Sequence, residues 1–243
     1  MSVTEKLVYL PLGGAGEIGM NMYLYGWGAP GKERWIMVDC GVTFPDMDGS
    51  PGVDLIMADT AFIEARRDRL EAILITHAHE DHVGAIGLLW ARLGPVPVYA
   101  RPFTARVARN KFEQAGIEPS HLKVIGAVPE MVKAGPFSLG FMPVPHSIPE
   151  ASAVVIDTPA GRVLHTGDLK LDPTPLLGDA FDPDAFRAVS KDGLLALVCD
   201  STNVFSTAEG RSEAELVDNL AEFVASAKGM VVATTFASNL ARV

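Results

Sequence analysis

The sequence predicts a mixed α/β domain with helices packed outside two sheets. Three observations carry this. Short apolar runs of strand character crowd the first forty residues and recur in quick succession between residues 122 and 165. Helical periodicity falls between and after them, which does not fit a simple doubly wound sheet. Finally, the run Thr76-His77-Ala78-His79-Glu80-Asp81-His82 lies where an apolar strand gives way to a Gly-rich helical pattern. A loop in that place can hold its side chains along one sheet edge.

The elements follow in order. Residues 7–10 read as a short buried strand. The glycines of 13–19 resemble a dinucleotide loop only superficially, because 21–25 reads as a second strand and not a helix. A Gly-rich hairpin is the better reading. Residues 35–39 form a third strand, and 43–52, rich in Pro, Asp and Gly, a surface loop. A short helix is expected over 60–69, with Phe62, Ile63 and Ala65 on its buried side. Residues 72–75 are a strand; 83–93 are helical and stop at Gly94-Pro95. Pro97 makes 96–100 an edge strand or a strand start. An amphipathic helix over 103–115 ends at Gly116, followed by strands at 122–125, 137–142, 153–157, 162–165 and 194–199. The Ser-x-x-Glu at Ser212 is a capping box opening a helix over 212–227. A last strand is expected over 230–235 and the start of a helix over 238–242. The chain stops one turn into it, which reads as a truncation.

With 243 residues there is room for one large domain, or one and part of another. No run approaches the roughly 18 apolar residues of a membrane helix, and the first residues carry no apolar signal segment. Two cysteines make no disulfide framework, which fits a cytoplasmic protein. Cys40 and Cys199 each end an apolar run and read as buried thiols. A net charge of −10 argues against a broad basic surface for nucleic acid. It leaves room for a local cationic groove, and bound ions would add positive charge to a carboxylate-rich site.

His77 and His79, two apart in an extended loop, point to the same side and suit one ion. Asp81 and His82 stand where the helix starts and could bind a second. Neutral imidazole with carboxylate is a ligand set typical of zinc. Singly, each of these residues fits a polar loop with Asp81 as a helix cap; together they do not. His146 follows a strand in Pro143-Val144-Pro145-His146-Ser147, where the prolines stiffen its approach. Asp168 follows a strand in His165-Thr166-Gly167-Asp168 and is either a turn former or a bridge between ions. Asp39 and Asp200 also end apolar strands, where an Asp is often a cap. His121 and His165 lack a neighbouring ligand pattern and are taken as non-ligands. There is no Gly-x-Ser-x-Gly, and Cys199 has no nearby His, so a covalent nucleophile has little support.

Residues 76–82, with Asp39, His146 and Asp168, resemble the metallo-β-lactamase superfamily. The resemblance is closer still to the ribonuclease J family of the β-CASP branch, through residues 12–21, 38–45, 145–149, 165–170, 199–203 and 235–239. It implies a four-layer αββα sandwich, incomplete at its C-terminus, with a metallo-β-lactamase domain over 1–205 and the start of a β-CASP domain over 206–243. It implies two zinc ions: one on His77, His79 and His146, the other on Asp81 and His82, with Asp168 bridging. Asp39 would fix the ligand loop by hydrogen bonds, and Asp200 would be the acid of the first β-CASP motif. Ser147, Ser238 and Asn239 would contact substrate. The implied activity is two-metal hydrolysis of RNA, endonucleolytic and 5′-to-3′ exonucleolytic, in RNA processing and decay, including that of rRNA. RNA, a decay assembly and, for the complete protein, further copies of itself are the implied partners; this chain is expected to be a monomer. In the family a later segment supplies another histidine ligand and a histidine partner for the Asp200 acid. Without them the expectation is weak or no activity, and one firmly held zinc. The competing readings are a thioester or lactam hydrolase on the same scaffold, and a non-catalytic metal-bearing module.

Overall fold

The computed structural model describes residues 4–46, 48–208, 210–240 and 242. In chain order the strands are β1 (Lys6–Gly13), β2 (Met22–Gly28), β3 (Arg34–Val38), β4 (Val42–Thr43), β5 (Ile56–Met57), β6 (Leu70–Ile75), β7 (Val98–Ala100), β8 (Leu122–Val124), β9 (Val132–Ala134), β10 (Phe137–Pro143), β11 (Ser152–Thr158), β12 (Gly161–His165) and β13 (Ala196–Val198). The helices are α1 (Ala61–Glu64), α2 (Glu80–Val83), α3 (Ile86–Leu93), α4 (Pro102–Gln114), α5 (Pro183–Ser190) and α6 (Glu213–Ser226).

Six strands form one sheet in the order β1-β2-β3-β6-β7-β8, and five form a second in the order β13-β12-β11-β10-β9. The period-2 alternation of strand side chains divides their apolar residues between two faces. Tyr25, Ile36, Val38 and Leu74 meet Leu139, Phe141, Val154 and Ile156 between the sheets. Their neighbours Leu24, Met37, Ile73 and Ile75 face the other way, onto Ile86, Leu89, Ala108 and Phe112 of α3 and α4. On the far side, Ala153, Val155 and Leu164 pack with Phe186 and Val189 of α5. The result is the expected αββα sandwich. Both faces of β6 are covered, which is why it reads as a continuous apolar run. Each fully buried Leu or Ile contributes about 1.5–3 kcal/mol. Among the described residues, no helix is long and apolar enough to cross a membrane.

The structure corrects several expectations. The helix expected over 83–93 starts at Glu80 and breaks after Val83. The Asp81 carbonyl accepts from the Asn21 N–H at 2.9 Å and the His82 carbonyl from the Cys40 N–H at 2.8 Å, while the Ala85 N–H goes to the Cys40 carbonyl at 2.9 Å. Tertiary bonds thus take carbonyls that the helical ladder would use. The helix over 60–69 shrinks to α1, because Arg66 leaves the helical region at φ −132°. Ile63 is buried there, but Ala65 is exposed. Pro97 directly precedes the start of β7, as one of its two readings had it; the edge reading fails, because β7 lies between β6 and β8. Residues 230–235 form no strand, since nothing among the described residues pairs with them, and Met230 is 91% exposed. Residues 238–240 form no helix, with the Asn239 N–H on the Phe236 carbonyl at 2.9 Å; residue 241 of the expected helix lies outside the described residues. Ser212 caps α6 by accepting from the Ala214 N–H. Cys40 is buried, but Cys199 is exposed, because it follows the edge strand β13, whose Leu195 and Leu197 neighbours are themselves uncovered. Sequence reading missed α5, despite its Asp182 cap and Pro183 at the first position, and the short β9.

Candidate metal centre

The site lies at the C-terminal end of β6, where Thr76 leads into the His77–His79 loop and α2. Asp39, fully buried and at φ 61°, ends the neighbouring β3. Its Oδ1 accepts from the Thr76 N–H at 2.8 Å and its Oδ2 from the Thr76 hydroxyl at 2.9 Å. His82 Nδ1 lies 2.8 Å from the same Oδ2, and His77 Nδ1 lies 3.0 Å from the Thr76 hydroxyl. A proton on each Nδ1 completes both bonds, because the carboxylate only accepts and the hydroxyl already donates to it. That leaves Nε2 of His77 and of His82 facing the cavity. A ligand histidine is commonly oriented in this way.

The free nitrogens converge. His79 Nδ1 lies 3.0 Å from His77 Nε2 and 3.1 Å from His146 Nε2. Asp168 Oδ2 is 4.0 Å from His77 Nε2 and 3.8 Å from His146 Nε2. Its other oxygen, Oδ1, is 3.3 Å from His82 Nε2, which is 3.4 Å from Asp81 Oδ2. Two sets of donor atoms result, each within 4.8 Å of one another: His77, His79, His146 and Asp168, and Asp81, His82 and Asp168. Asp168 offers one oxygen to each.

Burial holds His77 and His79 neutral, and holds His146 down to about 4. Burial would raise Asp168, but its hydrogen bond to His82 and the charge there outweigh this and bring it to about 2. Burial disfavours charge on His82 as well, yet the Asp39 carboxylate beside it lifts its pKa well above the usual value. Three neutral rings and a carboxylate thus bring their donor atoms to within 3–4 Å of one another, a spacing that suits a shared cation. The donor set of imidazole and carboxylate fits a divalent ion.

The remaining predicted site residues surround this centre. Asp200 follows β13, its Oδ1 accepting from the Thr202 N–H at 2.9 Å and its Oδ2 from the Leu169 N–H at 3.3 Å. Ser147 Oγ stands 3.5 Å from His79 Nε2, and the Ser238 backbone is within hydrogen-bonding reach of His79. A cavity of about 520 Å³ opens on the Asp81 and His82 side beneath the Gly-rich hairpin. A second, of about 350 Å³, lies on the His146 side and is lined by Ser147, Asn239, Lys170 and Arg242. Asp168 and Asp200 line both. His165, taken as a non-ligand, is buried with its Nδ1 2.9 Å from the Tyr25 hydroxyl; it joins neither set. Sequence reading assigned no role to Asn21, whose Nδ2 donates to Asp81 Oδ2 at 3.2 Å, or to Thr76. No spacing rule points to either, since their partners are 60 and 37 residues away.

Fold and site together define a member of the metallo-β-lactamase superfamily: its sequence profile matches residues 15–199, and the chain belongs to it. Within that class the chain is 50% identical to ribonuclease J of Sinorhizobium meliloti, over 100% of its own length and 43% of that protein's. It is 35% identical to ribonuclease J of Thermus thermophilus, over 98% of its length and 42% of the relative's. The chain thus spans less than half the length of these relatives. A crystal structure of a protein of unknown function from Enterococcus faecalis V583 shares the fold, with a TM-score of 0.56 and 19% identity over 90% of this chain and 57% of that one.

Proposed function

We propose that this chain carries the metal-binding half of a ribonuclease J-type enzyme that hydrolyses RNA phosphodiesters with two zinc ions. The observation that supports it most directly is Asp168, whose two oxygens face two separate donor sets where two cavities meet. His77, His79 and His146 would hold one ion and Asp81 and His82 the other, with Asp168 offering an oxygen to each set. Bound there, the ions supply Lewis acidity and a water of lowered pKa.

The protein's own groups prepare that chemistry. Asp39 keeps Thr76, His77 and His82 in the orientation that turns Nε2 inward. His77, His79 and His146 are neutral at neutral pH, so their lone pairs are free. Asp168, held near 2, carries no proton there. Asp200, on the wall common to both cavities, is the acid next to the reacting phosphate. Ser147, Ser238 and Asn239 contact the RNA backbone. This reading includes endonucleolytic and 5′-to-3′ exonucleolytic modes, a role in RNA and rRNA processing in the cytoplasm, self-association of the complete protein, and a boundary near residue 205 between the catalytic and β-CASP portions.

Labelled RNA, a fluorogenic lactam and a thioester, assayed side by side, test it. The expected result, in the complete protein, is RNA cleavage that chelation removes, that zinc restores, and that falls at least about 100-fold in His77→Ala. Undiminished RNA cleavage by that variant rejects the assignment. Lactam or thioester turnover with no RNA cleavage assigns the site to the superfamily's acyl chemistry.

A further inference from the structure

We infer that Asn21 is the positioning residue of the Asp81–His82 half of the site, aimed by Tyr23; this rests on the two-ion reading above. Asn21 stands just before β2 and is 8% exposed. Its backbone N–H donates to the Asp81 carbonyl at 2.9 Å, and its carbonyl accepts from the Gly41 N–H at 3.0 Å. The backbone therefore ties the first turn of α2 to the loop after β3. The side chain then aims at the ligands themselves. Nδ2 is 3.2 Å from Asp81 Oδ2 and 3.0 Å from His82 Nε2.

The amide has one orientation open to it. The Tyr23 hydroxyl donates to Asn21 Oδ1 at 2.7 Å. With Oδ1 taken, the donor end must face the cluster. The Gly-rich hairpin closes over the pair: a Cβ at Gly14 would come within 2.3 Å of both Asn21 Oδ1 and the Tyr23 hydroxyl. The chemistry suits an amide. A carboxylate at position 21 would repel Asp81 and Asp168; an amide N–H takes one lone pair of Asp81 Oδ2 and leaves the carboxylate's other lone pairs for an ion. The set of His77, His79 and His146 has no comparable contact with Asn21, and its His77 is oriented through Thr76 and Asp39. Asp39 also holds His82 Nδ1, at 2.8 Å, so the two halves share that support; the Asn21 side chain is the support that reaches the Asp81–His82 half alone.

The test is zinc titration of the full-length metal-free chain against a competing chelator, for wild type, Asn21→Ala, Tyr23→Phe, Asp81→Ala and His79→Ala. Thermal midpoints of the metal-free forms are recorded alongside. The expected result is that Asn21→Ala weakens the ion whose binding Asp81→Ala also weakens, by about 10- to 100-fold, and leaves the His79-dependent ion unchanged. Tyr23→Phe weakens the same ion less. Unchanged affinities in Asn21→Ala overturn the inference. So does equal weakening of both ions together with a lowered midpoint, which would make Asn21 a structural residue. A wild type with no Asp81-dependent ion overturns it too. Zinc uptake indifferent to both Asp81→Ala and His79→Ala rejects the metal-site reading itself, whatever Asn21 does.

Discussion

Thr76 shows how much one hydroxyl can organise. It donates to Asp39 and accepts from His77, all inside a region shut off from water. Thr76→Val keeps the shape and removes both bonds, leaving a buried carboxylate oxygen and a ring N–H less satisfied. The expected cost is about 1–3 kcal/mol of stability, read from urea unfolding. Zinc affinity should fall about 10-fold or more, since His77 loses the partner that fixes its tautomer. A variant as stable and as tight-binding as wild type would remove Thr76 from the site's framework. At this scale the sequence was informative where donors cluster locally and silent elsewhere. His77, His79, Asp81 and His82 are legible from spacing alone. Asn21, Tyr23 and Thr76 are ordinary residues of strands and loops, and their contacts arise only when distant segments meet.

At the level of elements, the junction of β3, α2 and β2 is held by backbone contacts at close range. A Cβ on Gly41 would fall 1.7 Å from the Asp81 carbonyl oxygen and 2.7 Å from the His82 nitrogen. Both are backbone atoms, so neither can swing aside. Gly41→Ala should therefore displace α2, lower the thermal midpoint by many degrees and abolish zinc binding at the Asp81–His82 half. Gly16→Ala is the control: nothing lies within 4 Å of its Cβ, and only its φ of +81° is strained, costing about 1–2 kcal/mol. Equal behaviour of the two variants in thermal unfolding would show that the close approach does not matter. The same junction explains why the helix after the histidines breaks. Hydrophobic periodicity runs smoothly from 83 to 93, but the Asp81 and His82 carbonyls are claimed by Asn21 and Cys40. A local pattern cannot reveal that. The strand expected over 230–235 failed for the opposite reason: its residues have strand character, but a strand exists only with a partner to bond.

For the whole molecule, the buried histidines make stability depend on pH. His77, His79, His146 (about 4) and His165 (about 3) are held by burial below the usual 6.5. The unfolded chain therefore binds more protons than the folded one below 6.5, so their stabilisation is present above that pH and lost as pH falls towards 3–4. For His146 and His165 the slope is up to about 1.4 kcal/mol per pH unit across that window; His77 and His79 act in the same direction. Asp168, held near 2, works in the same direction below its usual value. His82 opposes them: its raised pKa adds stability at low pH that is lost as pH rises through the folded value. With four histidines against one, the metal-free chain should unfold at lower urea at pH 5 than at pH 7; greater stability at pH 5 would contradict the burial of these rings as neutral species. Periodicity by itself pointed to helices packed outside two sheets and to most of the strands, because each strand's alternating residues must serve two apolar layers; the four-layer sandwich was what the family resemblance implied. Local spacing also pointed to a candidate metal-binding loop after β6, since four donors in six residues have few other uses. Only the tertiary structure decided how His146 and Asp168 join that loop, that Asp168 turns one oxygen to each donor set, and that Asn21 supports one of them. Those relations depend on distances between segments far apart in sequence, which are set by how the two sheets pack and carry no trace in local spacing.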